Sequence, residues 1–113
     1  MKAVEKKMIS AIKKKKNMTQ GNTKVKCEGD NISVSLFGNT IFSIFSTFVD
    51  GKEGTVIEIN DCGYRTATTK SRLNALLSEF SGGYIYQYKY DWYFKQPNEN
   101  KVEPWEGCYY VVS

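Results

Sequence analysis

The stretch TATTKSRLNALLSEFSGG, residues 66–83, decides the fold because it predicts a cleanly bounded amphipathic helix. Four of its apolar residues recur at the i, i+3, i+4 and i+7 spacing of a helix face that packs against a core. They are Leu73, Leu76, Leu77 and Phe80. Thr68 or Thr69 is the predicted N-cap, and the glycine pair after the last turn ends the helix. We therefore predict a helix over residues 68–81 that packs on a sheet.

Upstream of this helix, short strand-like runs separated by turn residues predict an antiparallel four-stranded sheet within residues 22–60. The runs are TKVKCE (23–28), ISVSLFG (32–38), TIFSIFSTFV (40–49) and TVIEIN (55–60). The predicted turns are EGDN (28–31), the pair Gly38–Asn39 and DGKEG (50–54). The run TIFSIFSTFV is apolar on both faces, which predicts a central strand covered on each side.

The N-terminal segment, residues 1–16, predicts a basic amphipathic helix. Its apolar stripe has helical spacing and lysines occupy the remaining positions. The stripe consists of Val4, Met8, Ala11 and Ile12. The following NMTQGNT contains turn residues and ends the helix.

Downstream of residue 83, YIYQYKYDWYF places an aromatic residue at every second position from Tyr84 to Phe94. A single strand would set all six on one face over roughly 35 Å, which is longer than most strands. A break between Lys89 and Asp91 that makes a hairpin fits the sequence equally well. Residues 84–113 are accordingly predicted as aromatic strands, and the fold class as α+β in one domain, residues 1–113.

The positive charge of the chain is concentrated in one segment. Residues 1–16 hold seven lysines and one acid, Glu5, whereas the other 97 residues hold nine Lys or Arg and eleven Asp or Glu. The basic character therefore belongs to the first helix, either as a solvated face or as a surface that attracts phosphate backbones, anionic lipid or an acidic partner. The residues assigned to this second role are Lys13, Lys14, Lys15 and Lys16.

The composition excludes several kinds of site. The chain has no histidine and only three widely spaced cysteines, Cys27, Cys62 and Cys108, so neither a zinc site nor a histidine-based catalytic triad is expected. No glycine-rich phosphate loop is present, and no apolar run is long enough to span a bilayer. We expect no enzyme activity, no cofactor, no metal and no membrane association.

The opening of the predicted helix 68–81 is the first candidate site. Helix N-termini carry unpaired N–H groups and attract anions. Threonine hydroxyls and cations surround this one. Cations there oppose the helix dipole, which favours an anion-binding role. Threonines also cap helices routinely and cations are common on surfaces, so a cap alone fits the sequence as well. The candidate anion-binding residues are Arg65, Thr68, Thr69, Lys70 and Arg72.

The aromatic alternation is the second candidate site. Aromatic side chains on a sheet either pack against a helix, form a protein interface, or stack nucleobases. The residues predicted for a partner interface are Tyr84, Tyr86, Tyr88, Tyr90 and Trp92.

Several segments, above all NDCGYRTATTKSRLNALLSEF, together with GNTKV, SLFGNTIFSI and YQYKYDWYF, resemble a family of small proteins found in tailed bacteriophages and related mobile elements. The resemblance covers residues 4–95, and residues 96–113 fall outside it. It implies a phage protein acting in the cytoplasm of a bacterial host, and it carries no catalytic residue over.

From these observations we expect a non-enzymatic binding protein that inhibits a host protein or ribonucleoprotein, in the manner of counter-defence and anti-CRISPR proteins. The alternative is a single-stranded nucleic-acid-binding protein that uses the basic helix and an aromatic strand face.

Overall fold

The computed structural model describes residues 1–97 and 100–112, and these residues form two helices and nine strands. The helices are α1 (Ala3–Lys13) and α2 (Ala67–Phe80). The strands are β1 (Met18–Gln20), β2 (Thr23–Glu28), β3 (Asn31–Leu36), β4 (Asn39–Val49), β5 (Lys52–Asn60), β6 (Tyr84–Tyr88), β7 (Asp91–Lys95), β8 (Val102–Pro104) and β9 (Cys108–Val112).

The strands of the described chain form two antiparallel sheets. The large sheet has the order β1-β2-β3-β4-β5-β9, and the small sheet has the order β6-β7-β8. Consecutive strands are neighbours throughout except that β9 returns from the C-terminal end to pair with β5. The predicted α+β class is confirmed, and the predicted four-stranded meander forms the centre of the large sheet.

The core lies on one face of the large sheet. Helix α1 packs on β1 and β2, helix α2 packs beside it on β4, and the small sheet adjoins α2 through β6. Apolar side chains from both helices and both sheets form one cluster, which includes Met8, Val34, Ile59, Leu76 and Phe94. The described residues therefore make two layers, consistent with a smallest dimension of 22 Å.

The large sheet is wider than predicted. Met18–Gln20 was expected to end the first helix as part of a turn, but as strand β1 it pairs with Thr23–Val25 of β2 across a two-residue turn. Polar residues in β1 concealed it, because its only apolar residue, Met18, gives no alternation to detect. Strand β9 was predicted as a short apolar strand. Its pairing with β5 brings the C-terminal end of the chain back to the edge of the large sheet.

Strand β4 is central, as predicted, but it is covered on one face only. Phe42 and Ile44 point into the core, whereas Ser43 and Phe45 belong to the uncovered face of the large sheet. The apolar residues on both sides of this strand led to the wrong prediction. Polar side chains accompany Phe45 on the uncovered face, since the strand register aligns Lys26, Ser33, Ser43 and Glu58 across the sheet.

The β3–β4 turn also differs by one residue from the prediction. Phe37 and Gly38, with φ angles of 52° and 80°, make the turn instead of Gly38–Asn39. Both central residues of a type I′ hairpin turn need positive φ. The turn consequently holds Phe37 outward, where its side chain is exposed.

The aromatic stretch folds as a hairpin. Tyr88 pairs with Asp91, and the two turn residues between them, Lys89 and Tyr90, both have positive φ. Neither is glycine, so the turn is held in a conformation that L-residues disfavour. Of the two arrangements that the sequence allowed, the structure adopts the hairpin.

Candidate functional site

The opening of α2 is capped by its own threonines. Thr66 has extended backbone angles, and its Oγ1 accepts a hydrogen bond from the Thr69 N–H at 3.1 Å. The Thr66 and Thr69 hydroxyls also lie 2.9 Å apart, and Thr69 is buried. The helix therefore starts at Ala67, and Thr66 is the N-cap in place of the predicted Thr68 or Thr69. Thr68 lies in the first turn and is half-buried.

The three cations around this opening point to three different partners. Arg65 Nε lies 3.3 Å from Asp61 Oδ2, and its Nη2 donates to the Trp105 carbonyl at 3.4 Å. Lys70 Nζ lies 5.9 Å from the centroid of the Trp92 ring. Arg72 is buried among α1 and β2. These residues are therefore not assembled into one anion site, because protein groups already occupy their charged ends.

Arg72 belongs to a buried polar network centred on Glu5. Its Nη1 lies 2.8 Å from Glu5 Oε2, which also accepts from Ser71 Oγ at 2.6 Å, and its Nε lies 3.2 Å from Thr23 Oγ1. Burial raises the pKa of Glu5, but hydrogen bonds from Ser71, Arg72 and the Lys2 N–H outweigh it and hold the pKa below its usual value. The network joins α1, α2 and β2, which corrects the surface role predicted for Arg72.

A cleft of about 370 Å³ lies beside the capped end of α2. Exposed Phe37 and Tyr64 stand among its lining residues, and buried Leu36 and Ile41 contribute to it. The buried carboxylate of Asp61 also borders it and accepts hydrogen bonds from Trp105 Nε1 and the Gly63 N–H at 2.6 and 2.8 Å. Sequence reasoning missed this cleft, because its walls come from two separate turns.

The small sheet presents a row of tyrosines. The cross-strand register pairs Tyr84 with Lys95 and Tyr86 with Tyr93, so these side chains share one face. Tyr84 and Tyr88 are exposed, while Tyr86 and Tyr93 are half-buried. We call Tyr84, Tyr86, Tyr88 and Tyr93 the tyrosine face.

The opposite face of the small sheet belongs to the core. It carries Ile85, Trp92 and Phe94, of which Trp92 is only 4% exposed. The prediction that Trp92 shares a partner interface with the tyrosines needs correction. Because the turn between the strands has two residues, the even-numbered residues of β7 lie on the opposite face of the sheet from the even-numbered residues of β6.

The hairpin tip adds Tyr90, which is 94% exposed. Tyr93 was missed, although the hairpin alternative contained the signal: with a turn at residues 89–90, odd positions in the second strand share a face with Tyr84, Tyr86 and Tyr88.

The rings of the tyrosine face contact each other and neighbouring lysines. Tyr86 stacks on Tyr93 with centroids 5.6 Å apart and planes inclined by 22°. Lys95 Nζ lies 5.9 Å from the Tyr84 ring centroid, and Lys89 Nζ lies 5.4 Å from that of Tyr88. Each of the four rings therefore has a tyrosine or lysine neighbour within the sheet.

The lysines at the end of α1 divide into two pairs. Lys13 forms an ion pair with Glu79 of α2, and Lys15 lies 3.4 Å from Asp30. Lys14 and Lys16 form no ion pair with any residue in ranges 1–97 and 100–112. The four consecutive lysines thus do not form one uniform surface.

The cysteines are free thiols among the described residues, and burial raises the pKa of Cys27, Cys62 and Cys108. A raised thiol pKa weakens the nucleophile. Within the described ranges, no three His, Cys, Asp or Glu side chains are grouped so that they could hold a metal ion. Neither described helix has the length and apolar composition needed to cross a membrane.

The family model described as Kyanoviridae Gp96 protein matches residues 1–111, and the chain therefore belongs to this family of phage (cyanophage) proteins. The predicted resemblance to a tailed-phage family is confirmed. The match extends through the C-terminal strands, which the resemblance did not cover. No curated protein and no solved structure matches the chain.

Proposed function

We propose that this member of the Kyanoviridae Gp96 family is a non-enzymatic binding protein that inhibits a protein or ribonucleoprotein of the bacterial host by covering one of its surfaces. The proposed place of action is the host cytoplasm, and the proposed role is counter-defence of the anti-CRISPR kind. The tyrosine face supports this proposal most directly.

Several properties suit the tyrosine face to a protein partner. Tyrosine combines a large apolar ring with a polar hydroxyl and is enriched among residues that dominate interface energies. The small sheet is packed from behind by Ile85, Trp92 and Phe94, so its backbone is already fixed before binding. A preorganised surface loses less conformational entropy when it binds.

The ring contacts favour a protein partner over nucleobases. Base stacking on a sheet requires an open ring face, whereas Tyr86 stacks on Tyr93 and lysines lie over Tyr84 and Tyr88. Tyrosine rings arranged in this way offer their edges and hydroxyl groups to a partner. The alternative function is binding of single-stranded nucleic acid through the basic helix and this aromatic face.

The charge of the chain also separates two modes of inhibition. With a net charge of +4, the protein does not carry the acidic surface of a DNA mimic. If it inhibits a nuclease, it is therefore expected to contact the enzyme itself or the enzyme's nucleic acid, and not to imitate the substrate.

A photo-crosslinking experiment tests the proposal. A benzophenone amino acid replaces Tyr88 in one variant and Phe48 in the matched control, since both are exposed aromatic residues and Phe48 lies on the large sheet. Irradiation in cells of the bacterial host is expected to give one discrete protein adduct at position 88 and none at position 48. The adduct should form in equal yield after nuclease treatment of the lysate.

Two outcomes would contradict a protein partner. Equal labelling from both positions, or no protein adduct from position 88, would show that the tyrosine face is not an interface. An adduct that contains nucleic acid and disappears with nuclease would support the alternative function.

A further inference from the structure

A second surface lies between α1 and β1, away from the small sheet. It is a shallow groove of about 430 Å³ that is open to solvent. Its lining residues are Lys6, Lys7, Ser10, Ala11, Lys14, Lys16, Asn17 and Met18. Four of these carry a positive charge, and none carries a negative charge. We call it the lysine groove.

Helix geometry explains how the lysines converge. Lys7 and Lys14 are seven positions apart, which corresponds to about two turns and places them on one side of α1. Lys15 has a φ angle of 53° and reverses the chain after the helix, so Lys16 and Met18 form the facing wall. The groove thus combines Lys6 and Lys7 of the helix with two members of the lysine run, Lys14 and Lys16.

The acidic residues near the groove form ion pairs with lysines that do not line it. Glu79 pairs with Lys13, and Asp30 pairs with Lys15. In the ion pairs formed within residues 1–97 and 100–112, the four groove lysines have no partner. Like charges gathered around one groove repel each other, so a bound polyanion would offset a repulsion that the free protein carries.

A membrane surface does not fit this helix. Interfacial helices insert an apolar face between lipid headgroups, but the apolar face of α1 packs against the large sheet. Its buried residues include Met8, Ile9 and Ile12. Beyond its first two residues, α1 exposes lysine and serine side chains, which suits a polyanion that approaches the groove from solvent.

We propose that the lysine groove binds the phosphate backbone of a nucleic acid without reading its sequence. Lysine is a strongly hydrated point charge suited to phosphate contacts, and the lining residues include no aromatic ring for base stacking. This inference goes beyond the proposed function and does not depend on the tyrosine face.

The test is fluorescence anisotropy of labelled single-stranded RNA, single-stranded DNA and duplex DNA with the intact protein. If four phosphates are neutralised, affinity should fall roughly 50-fold for single strands and about 150-fold for duplex between about 50 mM and about 200 mM salt. The variant Lys6→Gln, Lys7→Gln, Lys14→Gln, Lys16→Gln should lose this binding. The control variant loses the same charge at exposed sites outside the groove, through Lys24→Gln, Lys26→Gln, Lys52→Gln and Lys101→Gln. It should keep most of the nucleic-acid binding.

Circular dichroism establishes that both variants are folded. Equal losses in the two variants would overturn the proposal, because attraction would then follow net charge alone. Wild-type binding by the groove variant would overturn it too, as would no binding at the lower salt. Competition by poly-glutamate as effective as that by oligonucleotide would instead assign the groove to an acidic protein. The position-88 crosslink should be unchanged in the groove variant, so the two proposals fail separately.

Discussion

Arg72 Nη1 of helix α2 lies 2.8 Å from Glu5 Oε2 of helix α1, although 67 positions separate the two residues in the sequence. Both side chains are buried, and the pair forms further hydrogen bonds with Ser71, Thr23 and the Lys2 backbone. The pair fixes the N-terminal ends of the two helices against each other and against the large sheet. It holds α1 in the position from which its lysines reach solvent.

Replacing Arg72 with methionine is expected to destabilise the protein by about 3–5 kcal/mol, because Glu5 would remain buried without its cation. Urea unfolding followed by circular dichroism measures the change. The double variant Glu5→Leu, Arg72→Met should recover part of the loss, since no unpaired charge remains. Equal stabilities for wild type and the Arg72→Met variant would show that the pair is not a determinant of the fold.

The pH dependence of stability should report on Glu5. Its pKa is lowered in the folded protein from a reference value of 4.5. The stabilisation is therefore complete above the unfolded-state pKa and is lost as the pH falls through the lower folded-state pKa. The Glu5→Gln variant lacks this titration. Its deficit in unfolding free energy should be largest near pH 7 and should shrink towards about pH 3, and a deficit that grows on acidification would reverse the assigned sign.

Asn74 takes the place of a neighbouring strand at the edge of the small sheet. Its Nδ2 donates to the Ile85 carbonyl at 2.8 Å, and its Oδ1 accepts from the Ile85 N–H at 2.7 Å. The Asn74→Ala variant should lose about 1–3 kcal/mol of stability, because these backbone groups lose their partner. Hydrogen exchange should accelerate across Tyr84–Tyr88. The control Ser78→Ala changes an exposed residue of the same helix. It should leave the stability and the hydrogen-exchange rates unchanged.

The Tyr90→Gly variant should be more stable than wild type by about 1 kcal/mol, because Tyr90 has a φ angle of 73° that glycine adopts more readily. Little packing is lost, since the side chain is almost fully exposed. Thermal or urea unfolding measures the gain. A decrease in stability would mean that the Tyr90 ring makes contacts that outweigh its backbone strain, and Gly51→Ala, also in a positive-φ turn, should destabilise as the converse control.

Local patterns predicted the central elements well. Helix α2 begins and ends within one residue of the prediction, since its apolar spacing, threonine cap and terminal glycines all lie within 18 residues. The strands from β2 to β5 were likewise found from alternation and turn residues. One error lies at Met18–Gln20, which has too little apolar pattern to detect, and another at the β3–β4 turn, where Phe37 adopts a conformation that glycine normally supplies. The predicted loop DGKEG (50–54) was too long, because residues 52–54 pair with β4 as the start of β5 and leave a two-residue turn.

The candidate sites were less predictable. The tyrosines of β6 were identified, but Trp92 was assigned to the wrong side because a turn of two residues exchanges the faces of the strand that follows. Arg72 carried a charge that suggested a surface, yet its position on the inner side of α2 directs it to Glu5. Two of the four predicted lysines pair with acids, while Lys6 and Lys7 join the lysine groove.

The sequence by itself determined the fold class, the two helices, the central strands and the membership in a phage protein family, because these depend on short-range periodicity and on order along the chain. Tertiary structure alone decided which charges are buried, which aromatic residues are exposed and which lysines pair with acids. These outcomes depend on contacts between residues far apart in sequence. A side chain's environment is set by the element packed against it, and local spacing does not specify that element.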